Sequence, residues 1–168
     1  AHAVAVLDPH MPFPRRALEA ACLLRCVARK PSELLETYHD RVREGVVDRL
    51  SEVQRQQLHL RWARQLELKE AVAVDALAFH YDLGGQKQQA AYSSIIAAEA
   101  ATRRVAFESA TDYYQYALTN GHWDDAVRRR LLTRIAEAAG NAGQCREAAH
   151  YYQEAASLAE GNDAFELS

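Results

Sequence analysis

Two octapeptides frame what this chain can fold into. Ala110-Thr111-Asp112-Tyr113-Tyr114-Gln115-Tyr116-Ala117 and Ala148-Ala149-His150-Tyr151-Tyr152-Gln153-Glu154-Ala155 share five of eight residues and lie 38 residues apart. A weaker copy stands upstream, where Phe79, Tyr81 and Leu83 align with Tyr114, Tyr116 and Leu118 at an offset of 35. Self-similarity at such a period marks a repeat architecture, and about 34 residues with two helices per unit is the tetratricopeptide period. One helical hairpin cannot cover its own apolar face, so neighbours stack and share a core. The small residues Ala110, Ala117, Ala148 and Ala155 then belong where helices cross closely, and Tyr114 and Tyr152 belong in the gaps between hairpins. The expected fold class is all-α: tetratricopeptide-like antiparallel hairpins in an α-α superhelix.

The rest of the sequence agrees with helices. Only 7 Gly and 4 Pro interrupt 168 residues, and long breaker-free stretches favour helix. Ser51 and Gln54 have capping-box spacing, opening a helix that carries Leu58, Trp62 and Leu66 at steps of four and runs to about Lys69. A short helix over 73–83 stops at Gly84-Gly85. Further helices are expected over Gln86–Arg104, Phe107–Thr119, Trp123–Ala139 and Gln144–Ala159, the last closed by Gly161 with fraying beyond it.

The N-terminal part reads differently. Residues 1–14 hold Pro9, Pro12 and Pro14 and no period, and Arg15 to Cys22 suits a short helix. Residues 23–29 alternate loosely, Lys30-Pro31-Ser32 signals a turn, and residues 33–38 can return as a second strand. A hairpin is the preferred reading; the other is a helix capped by Ser32 and running through Glu36. Asp40 is a good N-cap for a helix over Arg41–Leu50. Two regions are expected: 1–50, a winged-helix-like remnant with a linking helix, and 51–168, the repeats. The chain opens at Ala1-His2-Ala3 without Met, which suits an excised fragment or a processed terminus.

A family resemblance rests on three segments. Tyr38-His39-Asp40-Arg41-Val42-Arg43-Glu44-Gly45-Val46, then Leu58-His59-Leu60-Arg61-Trp62-Ala63-Arg64-Gln65-Leu66-Glu67, then Ala76-Leu77-Ala78-Phe79-His80-Tyr81 resemble, in that order, a pattern of large bacterial signalling proteins of the STAND/AAA ATPase type. There the pattern follows the ATPase module, as a winged helix and then tetratricopeptide-like repeats. Many such proteins begin with a serine/threonine protein kinase. The resemblance covers roughly residues 23–160. One departure is Gly45, where Ala is usual, a change that weakens a helix position by about 1 kcal/mol. The resemblance implies a regulatory, protein-binding role for this segment in a cytoplasmic protein, with kinase and ATP-binding functions elsewhere in the parent.

No residue constellation here supports catalysis. His39-Asp40-Arg41 has the wrong order for a kinase catalytic loop, with no Asn at the required spacing and no later Asp-Phe-Gly. Gly84-Gly85-Gln86-Lys87 lacks the strand and spacing of a phosphate loop. The histidines never show the His-x-x-x-His spacing of a helical zinc site. Cys22 and Cys26 have no second pair to complete a zinc site, and three cysteines without a spaced framework fit a reducing compartment. A formal net charge of −3 gives no basic field for nucleic acid, and no segment is apolar enough to span a membrane. No catalytic residue, cofactor or metal is therefore expected.

The expected partners are a protein or peptide, other domains of the same chain, or a second copy. The candidate interaction surface is Tyr113, Tyr116, Tyr151, Arg128 and Arg129. Rival roles are a structural spacer or oligomerisation element, and a small-molecule sensor using the tyrosines.

Overall fold

The computed structural model describes residues 24–29, 32–37, 48–68 and 73–166, with side chains between 48 and 158. Two compact units divide the chain, residues 1–62 and 63–168. The described part of the first contains strands β1 (Leu24–Arg29) and β2 (Ser32–Thr37). They pair antiparallel, with Leu24 opposite Thr37 and Arg29 opposite Ser32. The expected short helix at Arg15–Cys22, the segment 38–46 and Cys22 lie outside the described residues. Residues 48–50 form a turn and not the end of a helix. Ser51 supplies the reason, since an N-cap must leave helical backbone angles.

Helix α1 (Glu52–Glu67) begins at that cap. The Ser51 N–H donates to Gln54 Oε1 at 2.9 Å, and the Gln54 N–H donates to Ser51 Oγ at 3.3 Å. This reciprocal pair is the capping box read from the sequence. Glu52 in the first turn offsets the helix dipole and also pairs with Arg55 at 2.7 Å.

The described residues of the second unit are all-α. They form α2 (Val74–Leu83), α3 (Lys87–Arg103), α4 (Phe107–Asn120), α5 (Asp125–Asn141) and α6 (Cys145–Glu166). Each helix packs on the next in sequence. Three of the four connections share one geometry. Gly85, Val105 and Gly143 stand in the left-handed region with φ of 75°, 62° and 82°. After each, an N–H reaches back five residues: Gln86 to the Tyr81 carbonyl at 2.9 Å, Ala106 to Ala101 at 2.9 Å, Gln144 to Ala139 at 2.8 Å. That is the six-to-one bond of a Schellman motif, which satisfies carbonyls left over at a helix end.

The α4–α5 connection is built otherwise. Gly121 is extended, and Trp123 folds back so that its indole Nε1 donates to the Ala117 carbonyl at 2.7 Å. A Cβ at Gly121 would lie 2.3 Å from the indole ring. Asp124 then caps α5, accepting from the Val127 N–H at 2.8 Å. The helix expected from Trp123 therefore starts at Asp125: Trp123 closes the preceding helix and Asp124 opens the next. At the other end α6 continues past the expected stop to Glu166, through Gly161. A lone Gly costs a helix only about 1 kcal/mol and ends it only where a left-handed turn follows.

The core of this unit joins three helices. Ala98 of α3, Tyr114 of α4, and Leu131 and Ile135 of α5 form its buried centre, with Ile95, Leu118, Trp123, Val127 and Tyr151 against it. Beside it Ala101, Ala110 and Ala138 meet in an all-alanine contact. Side chains this small let backbones approach closely. Ala110, Ala117, Ala148 and Ala155 are all buried. Tyr114 is 4% exposed, but its counterpart Tyr152 is 48% exposed. The expectation that both would be covered fails for Tyr152, because α5 packs over Tyr114 and none of the described helices packs over Tyr152.

Candidate interaction surface

Side-chain links reach past the neighbouring helix, from α2 to α4, from α3 to the α4–α5 connection and from α4 to α6. Asp82 of α2 accepts from the Tyr116 hydroxyl of α4 and from Lys87 Nζ. Gln88 of α3 binds the His122 backbone twice: its Oε1 accepts from the His122 N–H at 2.6 Å and its Nε2 donates to the carbonyl at 3.5 Å. Gln115 Nε2 of α4 donates to Glu147 Oε1 of α6 at 2.9 Å and to the Tyr151 hydroxyl at 3.0 Å. The partners are 34, 34, 32 and 36 residues apart in sequence.

The five residues proposed from sequence have different surroundings. Tyr113 is half-buried between the two core clusters. Tyr116 faces Asp82, and Tyr151 is held by Gln115. Arg128 bridges α5 to α6 through Glu154 at 3.4 Å. Only Arg129 stands exposed beside a groove, together with Tyr152. Tyr116 and Tyr151 each join two helices.

Electrostatics follow from these links. Burial pushes the Asp82 carboxyl upward, but hydrogen bonds from Lys87 and Tyr116 outweigh it and hold the group below its ordinary range. Burial and the Asp82 carboxylate raise the Tyr116 phenol. Burial and the hydrogen bond to Glu67 push Tyr81 up to about 12. Burial lowers His59, against a smaller opposing pull from Glu52. Among the described residues no three His, Cys, Asp or Glu side chains could hold a metal ion, and no helix is long and apolar enough to cross a membrane.

Two exposed features went unread in the sequence. On α3, Tyr92 and Ile96 sit one turn apart, 55% and 50% exposed. Tyr92 stands edge-on to Trp123, with ring centroids 5.0 Å apart and planes at 90°. Their four-residue spacing was legible as a shared face, but an apolar pair gives no sign of which face meets solvent. The second feature is an open groove of about 620 Å³ between α5 and α6, lined by Arg129, Thr133, Arg134, Tyr152, Ala155 and Ala156 among others. Arg134 is also tied to Glu137 at 2.9 Å. Compared with known proteins, the chain matches no family model and no curated protein.

Proposed function

We propose that this chain is a non-catalytic protein-interaction module, a tetratricopeptide-like superhelix that regulates a larger bacterial signalling protein. The observation that carries the proposal is the set of side-chain links at 32 to 36 residues, which repeat one helix-on-helix arrangement along the unit. Stacked hairpins of this kind present extended surfaces to peptides or other domains. The exposed pair Tyr92 and Ile96 is the contact patch within it, since aromatic and aliphatic anchors dominate binding energy. The resemblance of residues 38–81 to the post-ATPase segment of STAND/AAA signalling proteins supplies the context. In it the β1–β2 hairpin is what remains of a winged helix, and the parent is a cytoplasmic serine/threonine protein kinase with an ATPase module.

Cross-linking with mass spectrometry on the intact parent protein tests this. Cross-links from the α3 face to the ATPase or kinase region are expected, and they should weaken in the pair Tyr92→Ala/Ile96→Ala. A module that cross-links to nothing, within its chain or outside it, refutes the role and leaves a spacer.

A further inference from the structure

The hairpin α5–α6 repeats α3–α4 in a single register. Helix α3 starts at Lys87 and α5 at Asp125, α4 at Phe107 and α6 at Cys145, so both helices obey the same 38-residue shift. Ala91, Ile95, Tyr114, Ala117 and Leu118 thus correspond to Arg129, Thr133, Tyr152, Ala155 and Ala156. Ile95, Tyr114 and Leu118 of the first set belong to the face on which α5 lies, and Ala91 and Ala117 are buried. Leu131 and Ile135 of α5 pack with Tyr114, and Val127, Ile95 and Leu118 complete the contact. The second set lines the open groove. The shape that fits such a face is therefore already present once in the molecule: a helix offering branched aliphatic residues at i, i+4 and i+8, as Val127, Leu131 and Ile135 do.

The chemistry of the two faces differs in one direction. Where the covered face has Ala91 and the exposed positions beside it are Tyr92 and Ile96, the open groove has Arg129, Arg130 and Arg134. Among the described residues Glu137 is the one carboxylate lining the groove, and Arg134 already engages it. Among the described residues Arg129 and Arg130 form no ion pair. A small apolar floor beneath Tyr152, edged by guanidinium groups, suits a helix whose apolar stripe is flanked by carboxylates.

We propose that the α5–α6 groove docks an acidic amphipathic α-helix of another protein, seated as α5 is seated on α3 and α4. This rests on the repeat register of the proposed module and is independent of its signalling context. The test is fluorescence anisotropy of the full 168-residue chain with a labelled synthetic helix of about five turns. The probe carries Val, Leu and Ile at i, i+4 and i+8 and Glu at the flanking positions; a control carries Lys in place of Glu.

Saturable binding of the Glu probe is expected, at least tenfold tighter than the Lys control and weaker as salt rises. The pair Arg129→Glu/Arg130→Glu should lose at least tenfold, with an unchanged far-UV spectrum and melting temperature. Tyr92→Ala/Ile96→Ala should bind the probe normally, which separates failure of this groove from failure of the module's other contact face. Absence of saturable binding, or equal binding of the Lys control, overturns the proposal. So does a dimer in sedimentation that Tyr152→Ala dissolves, because the occupant is then a second copy.

Discussion

The least comfortable residue in the described chain is Val105. Its φ of 62° belongs to the left-handed region, which is costly for L-residues and worst for β-branched ones. Its two counterparts in the same turn are Gly85 and Gly143. Val105 is 70% exposed, so little packing is lost on removing its side chain. Relief of about 1–2 kcal/mol of strain, less about 0.5–1 for the freer unfolded chain, leaves Val105→Gly more stable by up to about 1.5 kcal/mol. Urea denaturation should show this as a raised midpoint with an unchanged slope. Gly143→Ala should move the other way by about 1 kcal/mol, with no clash involved, since nothing lies within 4 Å of the added Cβ. A second residue-scale expectation concerns pH. Tyr81 and Tyr116 titrate above their unfolded value of about 10. The folded state therefore holds its protons longer, and this contribution is intact below pH 10 and declines as pH rises toward 12. The stability gap between the wild type and Tyr81→Phe/Tyr116→Phe, followed by chemical denaturation, should shrink across that window. A gap that stays constant would show that neither phenol is perturbed.

Elements were legible in proportion to how local their signals were. Ser51 and Gln54 announced α1 because a capping box is complete within four residues. Gly84-Gly85 and Gly143 announced turns because the needed conformation favours glycine. The α3–α4 turn at Arg104-Val105-Ala106 carries no such mark, and there the packing of α3 against α4 imposes a conformation its sequence does not prefer. Trp123 misled for a related reason. An indole before Asp124-Asp125 extends an apolar period, yet its role is to close α4 by bonding the Ala117 carbonyl. A Tyr-rich repeat does not distinguish tyrosines that join helices, as Tyr116 and Tyr151 do, from one left uncovered, as Tyr152 is. The α4–α5 connection also yields a prediction. With the indole 2.3 Å from a Cβ at position 121, Gly121→Ala must displace Trp123. Overpacking of that kind costs about 1–3 kcal/mol. The Trp123 emission should change with it, measured in a Trp62→Phe background so that one indole reports. Unchanged emission and stability would mean the Trp123 cap is not formed.

At the scale of the second unit, stability should follow the order in which helices are covered. In a stack where each element contacts mainly its neighbours, free energy is approximately a sum of intrinsic and interface contributions. Helices α3, α4 and α5 have a helix on both sides and share the cluster of Ala98, Tyr114, Leu131 and Ile135. Helix α6 has α5 on one side and an open groove on the other. Its ties to the rest include Ala148 and Ala155, the Gln115 bonds to Glu147 and Tyr151, and the exposed Arg128–Glu154 pair. Exposed ion pairs contribute about 0–1 kcal/mol, so α6 should open before the three-helix core does. Native-state hydrogen exchange is the measurement. Amides buried in α3 to α5 should exchange only by global unfolding, and α6 amides by a smaller opening of lower free energy. Ile135→Ala distinguishes the cases further. It removes a wholly buried side chain at about 2–5 kcal/mol, from a cluster that carries the core and that α6, among the described residues, meets through Tyr151. The variant should lower the global free energy toward that of the α6 opening, leaving the two classes of amide closer together. Equal protection across all the helices in the wild type, falling in parallel in the variant, would mean the unit folds as one cooperative block. The groove on α5 and α6 would then be a fixed surface.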